Sequence, residues 1–251
     1  MKMEQITIRA FQATDDPIRC ELFVQEHRKV LSDIGVADVL PVDTSWALDE
    51  STIMVVAEHP TLGMVGGCRL QFSDQTERLP FHQYLVSLEP DVLAKVQRHI
   101  TGKCGELCGL WVAHRFTGRG LPWILTSAAI SVTTQTSAQS FICLSAEYSM
   151  DYACRNGFRP VKEVGVDGGV AFPIPTIRSF LLVNNDPIGL RSAADRERYK
   201  QLSLRLTPDQ RRIEQPKEDP IEVHYSLKLP QRIIPIHADG MIGPRSQRKS
   251  A

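Results

Sequence analysis

An apolar, strand-like run, Glu106-Leu107-Cys108-Gly109-Leu110-Trp111-Val112, passes through Ala113-His114 into Arg115-Phe116-Thr117-Gly118-Arg119-Gly120 and then into Leu121-Pro122-Trp123-Ile124-Leu125-Thr126-Ser127-Ala128-Ala129-Ile130. Strand, glycine-bearing turn and helix in this order constrain the chain more than any bulk property does, because the turn must show its own backbone to whatever sits in front of the helix. Gly118 and Gly120 allow positive φ and leave the main chain uncovered by a Cβ. Pro122 falls in the first helical turn, where a missing N–H is tolerated, so an anion would rest on free amides at the positive end of the helix. Arg115 and Arg119 place charge beside it, and Leu121 opens the helix. An ordinary strand-to-helix turn satisfies the same short pattern, so the pattern alone leaves a purely structural role open.

With 251 residues the chain can bury a substantial core. A main domain of residues 1–184, followed by an extension of residues 185–251 with a mobile tail over 238–251, fits the change in character after Asn184. Lysine plus arginine equals aspartate plus glutamate at 29 each, so no overall positive field draws nucleic acid. No apolar run is long enough to span a bilayer. The N-terminal residues mix charges into their apolar positions and lack the hydrophobic region of a secretory signal, which leads to the expectation of a cytoplasmic protein. Six cysteines (Cys20, Cys68, Cys104, Cys108, Cys143, Cys154) lie mostly within apolar segments, as free thiols do in a reducing compartment. A zinc site at Cys104-x-x-x-Cys108 is the sharper alternative, but no second close Cys/His pair accompanies it, and no metal is expected.

Periodicity predicts a strand over Ile6–Phe11, then a helix over Ile18–Leu31 capped by Asp15-Asp16-Pro17. A loop covers 35–51. Thr52–Glu58 and Met64–Phe72 read as a hairpin, and a helical pair spans Phe81–Ile100 before the strand Glu106–Val112. A helix over about 121–137, a buried strand over Ser140–Ala146 and a helix over Glu147–Asn156 follow, with Gly157 as its left-handed cap. Two more strands are expected at Val161–Val164 and Val170–Ile174. Beyond them, Leu206-Thr-Pro-Asp209 reads as a break between helices, and Ile221–Leu227 as an edge strand.

The Arg115/Gly118/Gly120 segment resembles the pyrophosphate loop of the GCN5-related N-acetyltransferase superfamily, whose motif is Arg or Gln, two residues, Gly, one residue, then Gly or Ala. The element order matches that superfamily too. The resemblance implies a mixed α/β, mostly antiparallel, twisted sheet flanked by helices, with central strands that splay to admit a pantetheine arm. Arg19-Cys-Glu-Leu-Phe23, Gly67-Cys-Arg69-Leu70, Leu79-Pro-Phe81 and Glu106-Leu107 are similar in spacing to the autoinducer synthase and long-chain N-acyl amino acid synthase branch. That second resemblance, over about residues 15–175, implies fatty acyl transfer from coenzyme A or acyl carrier protein onto an amino acid-derived amine. It carries to this chain Arg69 as a residue that positions substrate, and Arg19 as the helix arginine near the acceptor. Phe23 and Trp111 join them as substrate contacts. Two departures matter: the branch has Ser-Arg after its Glu-x pair where this chain has Cys108-Gly109, and its loop acids correspond insecurely to Asp43 or Asp49.

Acyl transfer to an amine needs a group that removes a proton from the ammonium and donors that hold the tetrahedral oxyanion. Glu106, a carboxylate on an otherwise apolar strand, is the candidate base, since partial burial raises its pKa; a solvated glutamate or a partner of Arg69 is the plainer reading. Many members of the superfamily protonate the leaving thiolate with a tyrosine four residues before a Gly-Phe. Here that position is Ala153, and Tyr152 sits one residue off, a rotation of about 100° on a helix. Tyr152, Tyr148 or water is left to serve, or the thiolate leaves unassisted. Trp111, Phe116, Trp123 and Phe141 line an acyl pocket or simply fill core.

The expected activity is therefore N-acyl transfer from an acyl-coenzyme A, or an acyl-phosphopantetheine carrier protein as partner, to a small primary amine, with the extension left to cover the acceptor side, to mediate dimerisation or to do neither. A short-chain acetyltransferase and a non-catalytic thioester-binding regulator are the rivals.

Overall fold

The computed structural model describes residues 3–40, 43–217 and 219–230. β1 (Glu4–Gln12) points Ile6, Ile8 and Ala10 into the core by simple alternation. α1 (Pro17–Asp33) starts where the Asp16 carboxylate accepts the Arg19 amide at 3.0 Å, with Pro17 in the first turn. β2 (Thr52–His59) and β3 (Gly63–Ser73) form the hairpin. The short helices α2 (Pro80–Leu85) and α3 (Val92–Gln97) lead into β4 (Cys104–Val112), α4 (Leu121–Val132), β5 (Ser140–Ala146) and α5 (Met150–Arg155). β6 (Arg159–Pro160), β7 (Gly169–Ala171), β8 (Arg178–Asn184), α6 (Asp195–Leu206), β9 (Asp209–Glu214) and β10 (Ile221–Ser226) complete the described chain.

All the strands join one sheet in the order β6-β8-β5-β4-β3-β2-β1-β10-β9, with β7 on β8. Every pairing is antiparallel except β1 with β10 and β4 with β5. One face packs on α4 through Ile8, Val55, Leu70, Leu107 and Phe141. The other is covered by α1, around Phe23, Met54 and Trp111, and by α2 and α3, around Phe81, Val96 and Ile142. The mixed, mostly antiparallel sheet between helices is the architecture the sequence predicts. Among the described residues no helix is long and apolar enough to cross a membrane.

Several boundaries differ from the sequence reading. α4 stops at Val132, short of 137, because the hydroxyls of Ser131, Thr133 and Thr136 turn back onto carbonyls three or four residues earlier and compete with the helical ladder. Val161 and Val164 are not a strand: the Val164 amide closes a turn on the Val161 carbonyl, and both side chains drop from that turn into the α2–α3 core. β7 ends at Ala171 because Pro173 has no N–H for a ladder. β8 has no counterpart in the sequence reading, although it pairs with β5, β6 and β7.

The largest departure lies after residue 185. Thr207-Pro208 separates α6 from a strand, β9, rather than from a second helix, and β10 is not an edge: it lies parallel to β1 on one side and antiparallel to β9 on the other. No seam in the sheet falls at 184. α6 docks on α4 through a buried polar cluster in which Ser127 Oγ lies 2.5 Å from Glu197 Oε2 and 3.0 Å from Asn156 Oδ1. Lys200 Nζ lies 3.5 Å from Glu197 and 3.4 Å from Glu214, and Tyr225 donates to Glu214 at 2.9 Å. Buried charges such as these are tolerated because each is paired. The expected tail at 238–251 lies outside the described residues.

Candidate active site

β4 and β5 pair over only three positions, Cys104–Ser140, Gly105–Phe141 and Glu106–Ile142. Beyond Glu106 the strands part, which leaves the β5-facing edge of β4 without a strand partner. A bulge lies in the same stretch: β3 runs from Gly67 to Arg69 while β4 runs from Trp111 to Cys108, and Gly109 takes φ +60° to absorb the extra residue. The bulge resets the alternation. Strict period two would put Trp111 on the opposite face from Glu106 and Cys108; the inserted residue returns it to theirs, where it packs with Phe23.

The opening so formed holds a cavity of about 510 Å³. At one end are Thr117 and Pro122, from the loop and first turn of α4, with Tyr148 and Tyr152 beside them. At the other are Glu106, Arg69, Tyr84 and Asp43. An apolar lobe is walled by Val24, Val30 and Leu31 of α1, by Ile34 just past its end, and by Val36 and Trp46.

The loop has the geometry its glycines suggest. Gly118 and Gly120 adopt φ +77° and +79°, a conformation costly to any residue with a Cβ. Phe116 and Thr117 donate their amides to Ala113 and His114, and Arg119 to Phe116. Among the described residues the amides of Gly118, Gly120 and Leu121 are in no hydrogen bond, and they stand at the N-terminus of α4, where partial positive charge collects. The Leu121 side chain is buried, so only its backbone is on offer. Arg115 lies over Phe116 and makes no ion pair among the described residues. Arg119 is engaged: Glu4 accepts from it at 2.9 Å and also meets His59 at 2.7 Å.

Glu106 is 1% exposed, and its carboxylate accepts the Phe81 amide at 2.8 Å. Burial raises its pKa from 4.5 to about 8, against the opposing pull of that hydrogen bond and of Arg69. It therefore holds a proton near neutrality that it can readily exchange. Arg69 stacks over Trp46, 4.8 Å from the ring centre, and donates to Gln71 at 2.8 Å, with no carboxylate partner among the described residues. Asp43 is held below the usual carboxylate range by the Ser45 hydrogen bond and by Arg69. Phe23 and Trp111 pack edge to face at 5.8 Å in the wall of the cavity.

Other candidates are placed differently. Arg19 does not line the cavity: it pairs with Asp16 and, at 2.8 Å, with Glu58, because the capping aspartate and the β2 glutamate flank it at the start of α1. Asp49 caps a turn through the Ser51 amide and hydroxyl. Phe116 and Phe141 are core. Tyr152 borders the cavity against Trp123, and burial raises its pKa, so its hydroxyl keeps its proton. Cys104 sits in the α2–α3 core while Cys108 faces the cavity; burial pushes both thiols up to about 12, which leaves them inert.

His27, Tyr84 and Trp46 escaped the sequence reading. His27 stacks on Trp111 with ring centres 6.3 Å apart, and burial, helped by Arg69, lowers its pKa to about 4, so it is neutral. A histidine four residues after Phe23 on an amphipathic helix was the available signal. Tyr84 and Trp46 sit in a short helix and a turn without periodicity to mark a face.

No family model matches the chain, and no curated protein matches it in sequence. Solved structures do match in fold. FeeM, an N-acyl amino acid synthase from uncultured soil microbes, aligns with TM-score 0.52 at 11% identity, over 78% of this chain and 99% of that one. BjaI, a CoA-dependent acyl-homoserine lactone synthase solved with SAM and isopentyl-CoA, aligns with TM-score 0.53 at 13% identity, over 78% and 89%. The acyl-homoserine lactone synthase LasI gives 0.50 at 12% identity, over 76% and 97%. The chain has the GCN5-related N-acetyltransferase fold in the form those synthases share.

Proposed function

We propose that the protein is an N-acyltransferase that moves an acyl group from a thioester, carried on coenzyme A or on the phosphopantetheine of a carrier protein, to the primary amine of a small acceptor bearing a carboxylate. One observation carries the reading: a single cavity joins the α4 loop, the gap between β4 and β5, and a buried carboxyl whose pKa is raised to about 8. Free amides at Gly118, Gly120 and Leu121, with Arg115 beside them, would hold the donor's phosphates. The pantetheine arm would replace the missing strand partner along β4, whose main-chain N–H groups would then face the thioester carbonyl.

Glu106 would take a proton from the acceptor ammonium, and the free amine would attack the carbonyl carbon. Collapse of the tetrahedral intermediate would expel the thiolate, which takes its proton from Tyr152 or water. Arg69, without a carboxylate of its own, would bind that of the acceptor in the fork geometry guanidinium groups favour. The apolar lobe along α1 supports an acyl chain longer than acetyl. FeeM, an N-acyl amino acid synthase, and BjaI, a CoA-dependent acyl-homoserine lactone synthase, support the same class.

The test is release of free thiol from acyl-coenzyme A of graded chain length over a panel of amino acids and other amines. Turnover that requires an amine bearing a carboxylate is expected. Thioester binding with no turnover on any amine would overturn the catalytic reading in favour of a thioester-binding regulator, and preference for the acetyl donor would overturn the assignment of the α1 lobe.

A further inference from the structure

β9 and β10 extend the sheet beyond β1 and bring the C-terminal segment to the α4 loop. β10 enters beside β1 with Ile221 opposite Glu4, and Glu4 is the residue that grips Arg119 of the loop. Pro216 and Lys217, which follow β9, lie over the loop itself. A Cβ on Gly120 would stand 2.6 Å from Pro216 Cβ and 3.4 Å from Lys217 Cγ, whereas one on Gly118 would meet nothing within 4 Å. The absence of a side chain at 120 thus serves packing against these two residues, and the open side of the loop is at 118. They are anchored from below: Arg196 donates to the Gln215 carbonyl at 2.5 Å, and Glu214, one residue before it, belongs to the buried cluster with Lys200 and Tyr225.

Lys217 is exposed and forms no ion pair among the described residues. Its Cγ lies 3.4 Å from the position a Cβ on Gly120 would take, next to amides that are themselves unbonded, so the rest of the side chain is long enough to carry the ammonium to an anion held there. We propose that Pro216 and Lys217, just after β9, form the outer wall of the donor site and that Lys217 is a phosphate-binding residue, so that the C-terminal segment contributes directly to thioester recognition. This rests on the donor-site reading of the loop. It gives the segment after 185 a task that neither a dimer contact nor a loose appendage would perform, and explains why so much of it is fixed by buried ion pairs. Lysine suits this place as a mobile point charge on an otherwise backbone-built site.

Calorimetric titration of the full chain with coenzyme A and with pantetheine, which lacks the phosphates, tests the proposal. Lys217→Glu should weaken coenzyme A binding by roughly three- to tenfold, the range expected of a solvent-exposed charge pair that is reversed rather than removed. Pantetheine binding should be unchanged, and Lys217→Arg should keep the affinity of the unaltered protein. Equal coenzyme A affinity in Lys217→Glu, or equal losses for both ligands, would overturn the proposal and leave the loop's role standing. No binding of either coenzyme A or a phosphopantetheine-bearing carrier protein by the unaltered protein would overturn the donor-site reading and this proposal with it.

Discussion

At the α4 loop the polar groups offered to a ligand are main-chain amides held by two residues at positive φ, while at the Glu106 end they are side chains gathered from β3, β4, α2 and the loop before β2. The loop is contiguous in sequence; the other end is assembled from residues up to 63 positions apart, from Asp43 to Glu106. A backbone site can be damaged only through conformation or covering groups, whereas a side-chain site can be taken apart one functional group at a time. That difference sets how each end should respond to substitution.

The largest effect is expected at Glu106. Glu106→Gln keeps the acceptor for the Phe81 amide but loses the exchangeable proton, and turnover should fall by roughly 10²–10⁴-fold, the usual contribution of a positioned base, with donor affinity unchanged. Parallel loss of donor binding would mean that the two ends are not separable. Next comes the loop. Gly118→Val forces a β-branched residue to φ +77° and sets a side chain in front of the free amides, so donor dissociation constants should rise by at least about tenfold. That Cβ meets no neighbour, so the cost to folding is limited to backbone strain of about 1–2 kcal/mol, which a melting measurement should show alongside the binding loss.

Arg69→Lys probes whether the side-chain end reads its ligand by shape as well as charge. The planar fork that stacks on Trp46 is replaced by a point charge, and the KM for a carboxylate-bearing acceptor should rise by about tenfold while donor affinity holds. An acceptor lacking a carboxylate should be used equally by both proteins. A uniform drop in kcat with unchanged KM would move Arg69 from acceptor binding to support of Glu106.

The same contrast explains what the sequence revealed. The loop was legible because glycine spacing, a strand before it and a proline-started helix after it are local signals. Glu106 and Arg69 stood out as charges within apolar strands. The bulge at Gly109 was not legible: alternation alone assigns Trp111 to the wrong face, and only pairing with β3 shows the extra residue. His27, Tyr84 and Asp43 meet Arg69 only through tertiary packing. Arg19 lies outside the cavity because Asp16 and Glu58, remote in sequence from one another, pair with it at the start of α1, a pairing no local signal reveals. In the C-terminal segment, local charge density suggested helix for residues that the β10 pairing holds as strand.

The smallest effect is the most diagnostic of how Glu106 is prepared. Its folded pKa, about 8, lies above the ordinary 4.5, so between these values the folded protein holds a proton that the unfolded chain has released. Stability from this group is thus fully present below about pH 4.5, declines as pH rises, and is lost once pH passes about 8. Glu106→Gln carries no such proton, so the melting temperature of the variant relative to the unaltered protein should climb steadily from about pH 5 to about pH 8.5. Catalysis should move the other way, because kcat/KM increases as Glu106 ionises, through an apparent pKa near 8. Opposite slopes from one ionisation would tie the cost of burying the carboxyl to its use as a base. A flat stability difference, with activity still rising through pH 8, would instead assign the titration to the acceptor's own ammonium and leave Glu106 as a hydrogen-bond acceptor for Phe81.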